Sequence, residues 1–288
     1  MNDSVVADFT TEVIPDTGEY DEPGHGRVLM NREQVVIVTA DDRTSFPIDG
    51  VFDLAYGSAP KEMRRFFEDT VTIAYKAAGQ KRVALVEGAD DVVERFTNLL
   101  FKGILNDTPV TVKHPARVGG RVTDASFRRA ALYLSPPAVR FKSDDPLTID
   151  VSTVSHFERV RRKIGDDERS MLSVRHADRG EVMTTEIGIG SERKMNVLGR
   201  FLRTEYTQLR EELEDVSLSE EEIEAMVGLY SGATEGSLAG MLGVDASRVT
   251  YLLNTLVEKG LLEESASGME LSSIGTLAVG EHLEDVNL

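Results

Sequence analysis

The stretch that decides the fold is residues 218–271, LSEEEIEAMVGLYSGATEGSLAGMLGVDASRVTYLLNTLVEKGLLEESASGMEL. Ser219 and Glu222 have the spacing of a capping box, in which the side chain of each residue accepts a hydrogen bond from the backbone N–H of the other at a helix start. Gly243 suits the left-handed turn between two helices. The apolar spacing predicts three helices, over 221–230, 234–242 and 246–259.

A short hairpin is expected directly after these helices. Gly260 stops the third helix, and residues 261–262 and 269–271 flank a turn at 265–268. Three helices followed by a two-stranded wing are typical of a winged helix-turn-helix module. We assign this module to residues 216–288.

The charge of this module argues against DNA binding. Residues 211–288 contain 2 bases, Arg248 and Lys259, against 17 acids. A helix that enters the major groove needs a basic surrounding, because phosphate neutralisation supplies most of the non-specific affinity. The expected role is therefore protein docking, with no DNA partner.

Upstream, the chain shows an internal duplication of about one hundred residues. Strands are predicted at 27–29, 34–39, 45–54, 71–75 and 82–87, and again at 131–134, 139–142, 147–157, 171–176 and 181–189. Ile48 and Ile149 occupy matching places in this interpretation. An amphipathic helix follows each set, the first with Val93, Phe96 and Leu100 and the second with Met195, Leu198, Leu202, Tyr206 and Leu209.

The predicted fold class is therefore α+β, with two tandem pleckstrin-homology-like β-barrel domains, each closed by a C-terminal helix, before the winged helix. The expected boundaries are an N-terminal extension at 1–25, a first repeat at 26–110, a second repeat at 111–215 and the module at 216–288.

Composition gives a net charge of −18, which is distributed unevenly. Residues 1–111 contain 11 bases and 20 acids, whereas residues 112–210 contain 19 bases and 13 acids. Scarce lysine and many aspartates suit a salt-accumulating microbe, and an ordinary acidic protein is the alternative. With no cysteine, no signal peptide and no long apolar stretch, we expect a soluble cytoplasmic protein without membrane insertion.

The sequence offers no catalytic, cofactor or metal site. Its five histidines are dispersed, although His156 and His176 lie in predicted strands of one repeat. Phosphate-binding loops and nucleophile elbows are missing from the sequence, and paired aspartates fall in predicted turns. We therefore expect a non-enzymatic protein with no cofactor.

A basic strip in the second repeat is the exception to the prevailing charge. It comprises Arg159, Arg161, Arg162 and Lys163, beside Asp166-Asp167, and Arg128-Arg129 and Arg193-Lys194 are candidates to extend it. The strip suits an acidic protein surface, or less well lipid phosphates. The alternative is a solvated edge strand with no partner.

Several long strings resemble the archaeal taxis protein family CheF. They are VKHPARVGGRVTDASFRR at 112–129, LTIDVSTVSHFERV at 147–160, TEIGIGSERKMNVLGRFLRTEYT at 185–207, LSEEEIEAMVGLYSGA at 218–233 and LGVDASRVTYLLNTLVEKGL at 242–261. The resemblance implies a homodimeric adaptor for chemotaxis or phototaxis. Its implied partners are phosphorylated CheY response regulator, other Che proteins and the archaellum accessory or switch proteins, at the cell pole beneath the motor.

Within that resemblance, we assign the basic strip to the motor side and the acidic module to the regulator. A CheY-like output face offers lysine, which suits an acidic partner. A helix over 274–288 supplies the candidate apolar anchors Leu277, Ala278, Leu283 and Val286. The alternative is that this helix only completes the core of its module.

Two other functions stay open on the sequence. One is a winged-helix transcriptional regulator whose duplicated domain is sensory. The other is a membrane-surface protein that reads anionic lipids through the basic middle of the chain.

Overall fold

The computed structural model describes residues 4–19, 22–58, 66–67, 69–88, 91–164, 167–178, 181–265 and 268–286. The chain divides into two compact units. The first comprises Met1–Val110, Ala131–Pro136 and Ile189–Thr204, and the second comprises Thr111–Ala130, Pro137–Gly188 and Glu205–Leu288. No helix in the described ranges is long and apolar enough to cross a membrane.

The first sheet contains seven strands in the order β4-β3-β2-β1-β7-β6-β5. Its strands are β1 (Ala7–Ile14), β2 (Gly24–Met30), β3 (Gln34–Val38), β4 (Arg43–Pro47), β5 (Val51–Ser58), β6 (Asp69–Ala77) and β7 (Gln80–Glu87). Strand β1 lies at the centre, although sequence analysis expected residues 1–25 to form an extension. It pairs with β2 along seven residues and with β7 at Val13 and Ile14, so it holds the two halves of the sheet together.

A one-turn 3₁₀ helix at Ile48–Gly50 interrupts the strand that was expected over 45–54. Gly50 permits this turn, because a Cβ atom there would lie 2.9 Å from the carbonyl oxygen of Lys76. The turn lets the chain leave β4 at one end of the sheet and enter β5 at the other. Phe46 of β4 stacks on Tyr75 of β6, with ring centroids 4.0 Å apart.

The second sheet repeats this topology, with the strand order β12-β11-β10-β8-β15-β14-β13 and with β9 paired to β8. Its strands are β8 (Thr108–Val118), β9 (Arg121–Val122), β10 (Arg128–Ser135), β11 (Ala138–Lys142), β12 (Leu147–Asp150), β13 (Val154–Ile164), β14 (Asp167–Asp178) and β15 (Glu181–Ile189). Strand β8 crosses the boundary expected at residue 110.

Each of the seven strands of the first sheet has a counterpart in the second sheet, and only β9 has none, which supports the predicted duplication. A second 3₁₀ turn, Val151–Thr153, precedes β13 as the first turn precedes β5. The register of both following strands shifts after their first residue, between Val51 and Asp53 and between Val154 and His156. Ile48 therefore corresponds to Val151, and the match of Ile48 with Ile149 was wrong by two residues.

Two helices follow the sheets, α1 (Asp91–Leu105) and α2 (Glu192–Glu214). The first part of α2 belongs to the first unit. There the rings of Phe201 and of Phe101 of α1 meet edge to face, with centroids 5.5 Å apart. Arg200 forms a two-pronged ion pair with Asp53 at 2.9 and 3.1 Å. Leu198 and Phe201 are fully buried. The apolar face of α2 is therefore covered within its own chain.

The C-terminal module contains α3 (Glu220–Tyr230), α4 (Glu235–Leu242), α5 (Ala246–Glu258), β16 (Leu262–Ser265), β17 (Gly268–Leu271) and α6 (Ser273–Val286). The capping box of Ser219 and Glu222 is present at the start of α3. Gly243 ends α4 with a left-handed φ of 68°. The close approach between α3 and α4 occurs at Gly228, where a Cβ atom would lie 2.8 Å from Leu238.

Candidate protein-docking surfaces

The basic strip lies on β13, the end strand of the second sheet. Arg159, Arg161 and Lys163 alternate along the strand and are exposed on one face. We call these three residues the basic edge. Arg161 lies 3.6 Å from Glu168, and both side chains are mostly exposed, so this ion pair holds the arginine only weakly.

Arg162 has a different environment from the basic edge. Its side chain points to the opposite face of the strand, where Nε donates to Oε1 of Glu186 at 2.6 Å. The Glu186 side chain is 7% exposed, and the Arg162 side chain is 34% exposed. Arg162 thus compensates a buried carboxylate, which is a structural role.

Replacing Arg162 by methionine is therefore expected to lower the free energy of unfolding by about 2 kcal/mol, because Glu186 would lose its partner while buried. Replacing Arg161 by methionine is the matched control and is expected to change it by less than about 0.5 kcal/mol. Denaturant titration at high salt measures both. Equal effects of the two substitutions would contradict the structural role of Arg162.

Three of the four other bases expected near the strip have partners elsewhere, whereas Arg129 is exposed. The acidic neighbours of the strip are only partly described. Arg128 forms an ion pair with Asp145. In the first unit, Arg193 donates to the carbonyl oxygen of Val51 at 2.6 Å, and Lys194 donates to Thr108 at 3.0 Å. Asp166 and the side chain of Asp167 lie outside the described residues.

The candidate anchors on α6 mostly face their own unit. Leu277 and Ala278 are 3% and 7% exposed, and Leu283 packs against the module core. The side chain of Val286 lies outside the described residues. This arrangement fits the alternative in which α6 completes the core.

One carboxylate connects the start of α6 to the second sheet. Asp150 accepts a hydrogen bond from the Ser273 hydroxyl at 3.0 Å, and its other oxygen accepts from the backbone of Ser152 at 2.9 Å. Beside this contact lies a cleft of about 590 Å³, lined among others by Arg175, His176, Tyr206, Tyr230 and Leu277.

In its described part, the module exposes three large apolar side chains that were not among the predicted anchors, and Val257 of α5 is the least exposed of them, at 39%. Met241 of α4 and Tyr251 of α5 are each 59% exposed. Tyr251 lies off the stripe formed by Val249, Leu252, Leu253 and Leu256, so helical periodicity alone could have identified it. Exposed tyrosine and methionine are enriched at protein interfaces.

Both bases of the module are engaged internally. Arg248 donates to Glu221 at 3.1 Å and lies 5.2 Å from the Tyr251 ring centre. Lys259 donates to Glu222 at 2.6 Å and to the carbonyl oxygen of Ser217 at 2.8 Å. Both bases are therefore paired with acids of the module itself, and Arg248 lies against the Tyr251 ring.

Two of the five histidines form a pair that was not predicted, with His176 buried and His114 half-buried. The rings of His176 and His114 stack with centroids 5.7 Å apart. The Thr185 hydroxyl oxygen lies 2.9 Å from Nε2 of His176 and 2.8 Å from Nδ1 of His114. Burial lowers the pKa of His176 to about 4, so the ring is neutral near pH 7. His156, in the adjacent strand β13, is exposed. Within the described ranges, no three His, Asp or Glu side chains are grouped as a metal site would require.

These features define a class of protein: a duplicated α+β chain with exposed charged and apolar surfaces. The profile described as archaeal chemotaxis signal transduction system protein F matches residues 5–208. The taxis protein CheF2 of Halobacterium salinarum is 49% identical over 288 residues, covering 100% of both chains. The taxis protein CheF1 of the same organism is 24% identical, over 86% of this chain and 83% of its own.

The chain belongs to the archaeal CheF family of chemotaxis signal transduction proteins. The names of these relatives describe taxis, and none indicates a catalytic activity. A solved structure, the Spt16D–Pob3N heterodimer, aligns with 63% of this chain and 95% of its own. Its identity is 14% and its TM-score is 0.23, which is too low to carry a structural argument.

Proposed function

We propose that this protein is a non-enzymatic adaptor that binds phosphorylated CheY response regulator and relays the signal to the archaellum motor. The observation that carries the proposal is the separation of charge within the second unit. The basic edge lies on its sheet, whereas the acidic module carries Met241 and Tyr251. Two surfaces of opposite charge let one chain bind two partners without competition.

The regulator is assigned to the C-terminal module, which we propose to be a winged helix. With Leu277 and Ala278 buried, the exposed side chains Met241 and Tyr251 are better placed as anchors than α6. The net negative charge of the module suits a lysine-bearing output face. Binding must favour the phosphorylated conformation, because a regulator bound equally well in both states transmits no signal. The occupied Arg248 and Lys259 give no support to a DNA-binding role.

The motor accessory proteins are assigned to the second sheet, which with the first we propose to be a pleckstrin-homology-like domain. Reversing Arg159, Arg161 and Lys163 to glutamate is expected to remove these proteins from the material that co-purifies with the chain. Binding of beryllofluoride-activated CheY should stay unchanged, since its proposed anchors lie in the module. Arg162 is left intact because it stabilises the fold.

The matched control reverses three other exposed bases of the second unit, Arg117, Arg121 and Arg140. It makes the same change in net charge away from the basic edge. Equal loss of motor proteins in both variants would show that overall charge is responsible. Undiminished motor association in the first variant would contradict the assignment.

The proposal includes a homodimer and a location at the cell pole beneath the motor. The apolar face of α2 gives no support to the dimer, because Leu198, Phe201 and Leu202 are buried within the chain. Light scattering in concentrated potassium chloride is expected to give twice the chain mass of 31.7 kDa. A monomer at all micromolar concentrations would contradict the dimer.

A further inference from the structure

The outer edge of β13 is suited to receive another strand. Strand β13 comprises 11 residues, and from His156 to Ile164 it pairs with β14 in an uninterrupted register. No strand of the described residues lies beyond β13 in the sheet. The outward-facing amide and carbonyl groups of such an edge are a template for an extended chain.

The side chains of this edge restrict which chain fits. A strand that pairs with β13 would place alternate side chains opposite Arg159, Arg161 and Lys163 on the same face. Acidic residues at every second position would each meet one base. A second copy of β13 would instead bring arginine and lysine opposite one another, which is unfavourable.

The duplication provides an internal comparison. Because Val51 and Val154 precede the same register shift, Tyr56 and Ser58 of β5 stand where Arg159 and Arg161 stand in β13. The equivalent edge of the first sheet therefore lacks these two bases. The basic edge is a property of the second copy, and the shared fold does not require it.

From these observations, and resting on the motor-side assignment above, we infer that β13 binds an extended acidic segment of its partner by strand addition. The segment adds as a further strand of the second sheet and carries acids at alternate positions. Backbone hydrogen bonds hold it, and the basic edge sets its register and selects its charge.

The test uses a synthetic nine-residue peptide in which glutamate alternates with valine or threonine, titrated onto the full chain at fixed salt. Reversal of Arg159, Arg161 and Lys163 is expected to weaken its binding at least about tenfold. The control variant, in which Arg117, Arg121 and Arg140 are replaced by glutamate, is expected to bind the peptide as well as the unaltered chain does. A peptide of equal composition with its glutamates clustered should bind at least about tenfold more weakly.

Backbone pairing is tested by N-methylating alternate amides of the peptide, which removes donors from one edge of its strand at constant charge. Methylation of one alternate set is expected to abolish binding, and methylation of the other set should preserve it. Amide hydrogen exchange in β13 is expected to slow on binding only where peptide pairing occurs.

Equal binding of both methylated peptides would show attraction by charge alone and would overturn strand addition. Absence of peptide binding to the unaltered chain would overturn it as well. Either result is compatible with loss of motor proteins from the Arg159, Arg161 and Lys163 variant. The co-purification therefore tests the adaptor proposal, and the peptide experiments test strand addition separately.

Discussion

Replacing Met241 and Tyr251 by alanine in the full-length chain is expected to weaken binding of activated CheY about 100-fold. Each side chain is 59% exposed, so the free protein loses little packing. Truncating a large anchor at an interface costs more than about 1 kcal/mol, and two losses of about 1.4 kcal/mol, each tenfold in affinity, account for the expected change. Calorimetry with beryllofluoride-activated regulator at high salt measures the dissociation constant.

The control for this experiment replaces two exposed valines of the second sheet by alanine. Val122 and Val182 are 70% and 39% exposed and lie outside the module. Their replacement should leave the affinity within about twofold. If the variant with both Met241 and Tyr251 replaced binds activated CheY with unaltered affinity, these residues are not the anchors. Removal of residues 217–288 would then show whether the module binds the regulator at all.

Replacing Gly275 by alanine is expected to destabilise the C-terminal module by about 3 kcal/mol or more. A Cβ atom there would lie 2.1 Å from the carbonyl oxygen of Leu261, which is backbone and cannot turn aside as a side chain would. Relief of that overlap requires α6 to shift from the chain segment before β16. Thermal unfolding followed by circular dichroism at high salt measures the loss.

Gly280 of the same helix is the matched control. An added Cβ atom there meets nothing within 4 Å, so alanine should stabilise the helix by about 0.5–1 kcal/mol. The two substitutions are chemically identical, and their expected effects have opposite signs. If both stabilise the protein, the close contact of α6 with Leu261 does not exist in solution.

The elements of the C-terminal module were predictable because their signals are local. The capping box at Ser219, the left-handed Gly243 and the apolar stripe of α5 depend on residues a few positions apart. The predicted helices consequently agree with α3, α4 and α5 within one residue at each end. The duplication was equally visible, because repeated strand patterns survive in the order of the residues.

The centre of each sheet was not predictable in this way. Strand β1 was assigned to an extension, and β8 crosses an expected boundary. Neither strand was recognised, because the place of each depends on pairing with strands distant along the chain. The 3₁₀ turns at Ile48 and Val151 were missed for a related reason. The apolar residues of these turns continue the alternating pattern of the neighbouring strands. Only the folded sheet shows that the chain passes at each turn from one edge strand to the other.

The amino-acid order alone determined the distribution of charge, the absence of thiol chemistry and the helices of the module, since these require only composition or neighbours. The tertiary structure decided which charged and apolar residues are available to a partner. It placed Arg162 against buried Glu186 and left Arg161 exposed, although the two are adjacent in the chain. It also buried Leu277 and exposed Tyr251. Availability depends on which face of an element meets the core, and residues far apart in the sequence build that core.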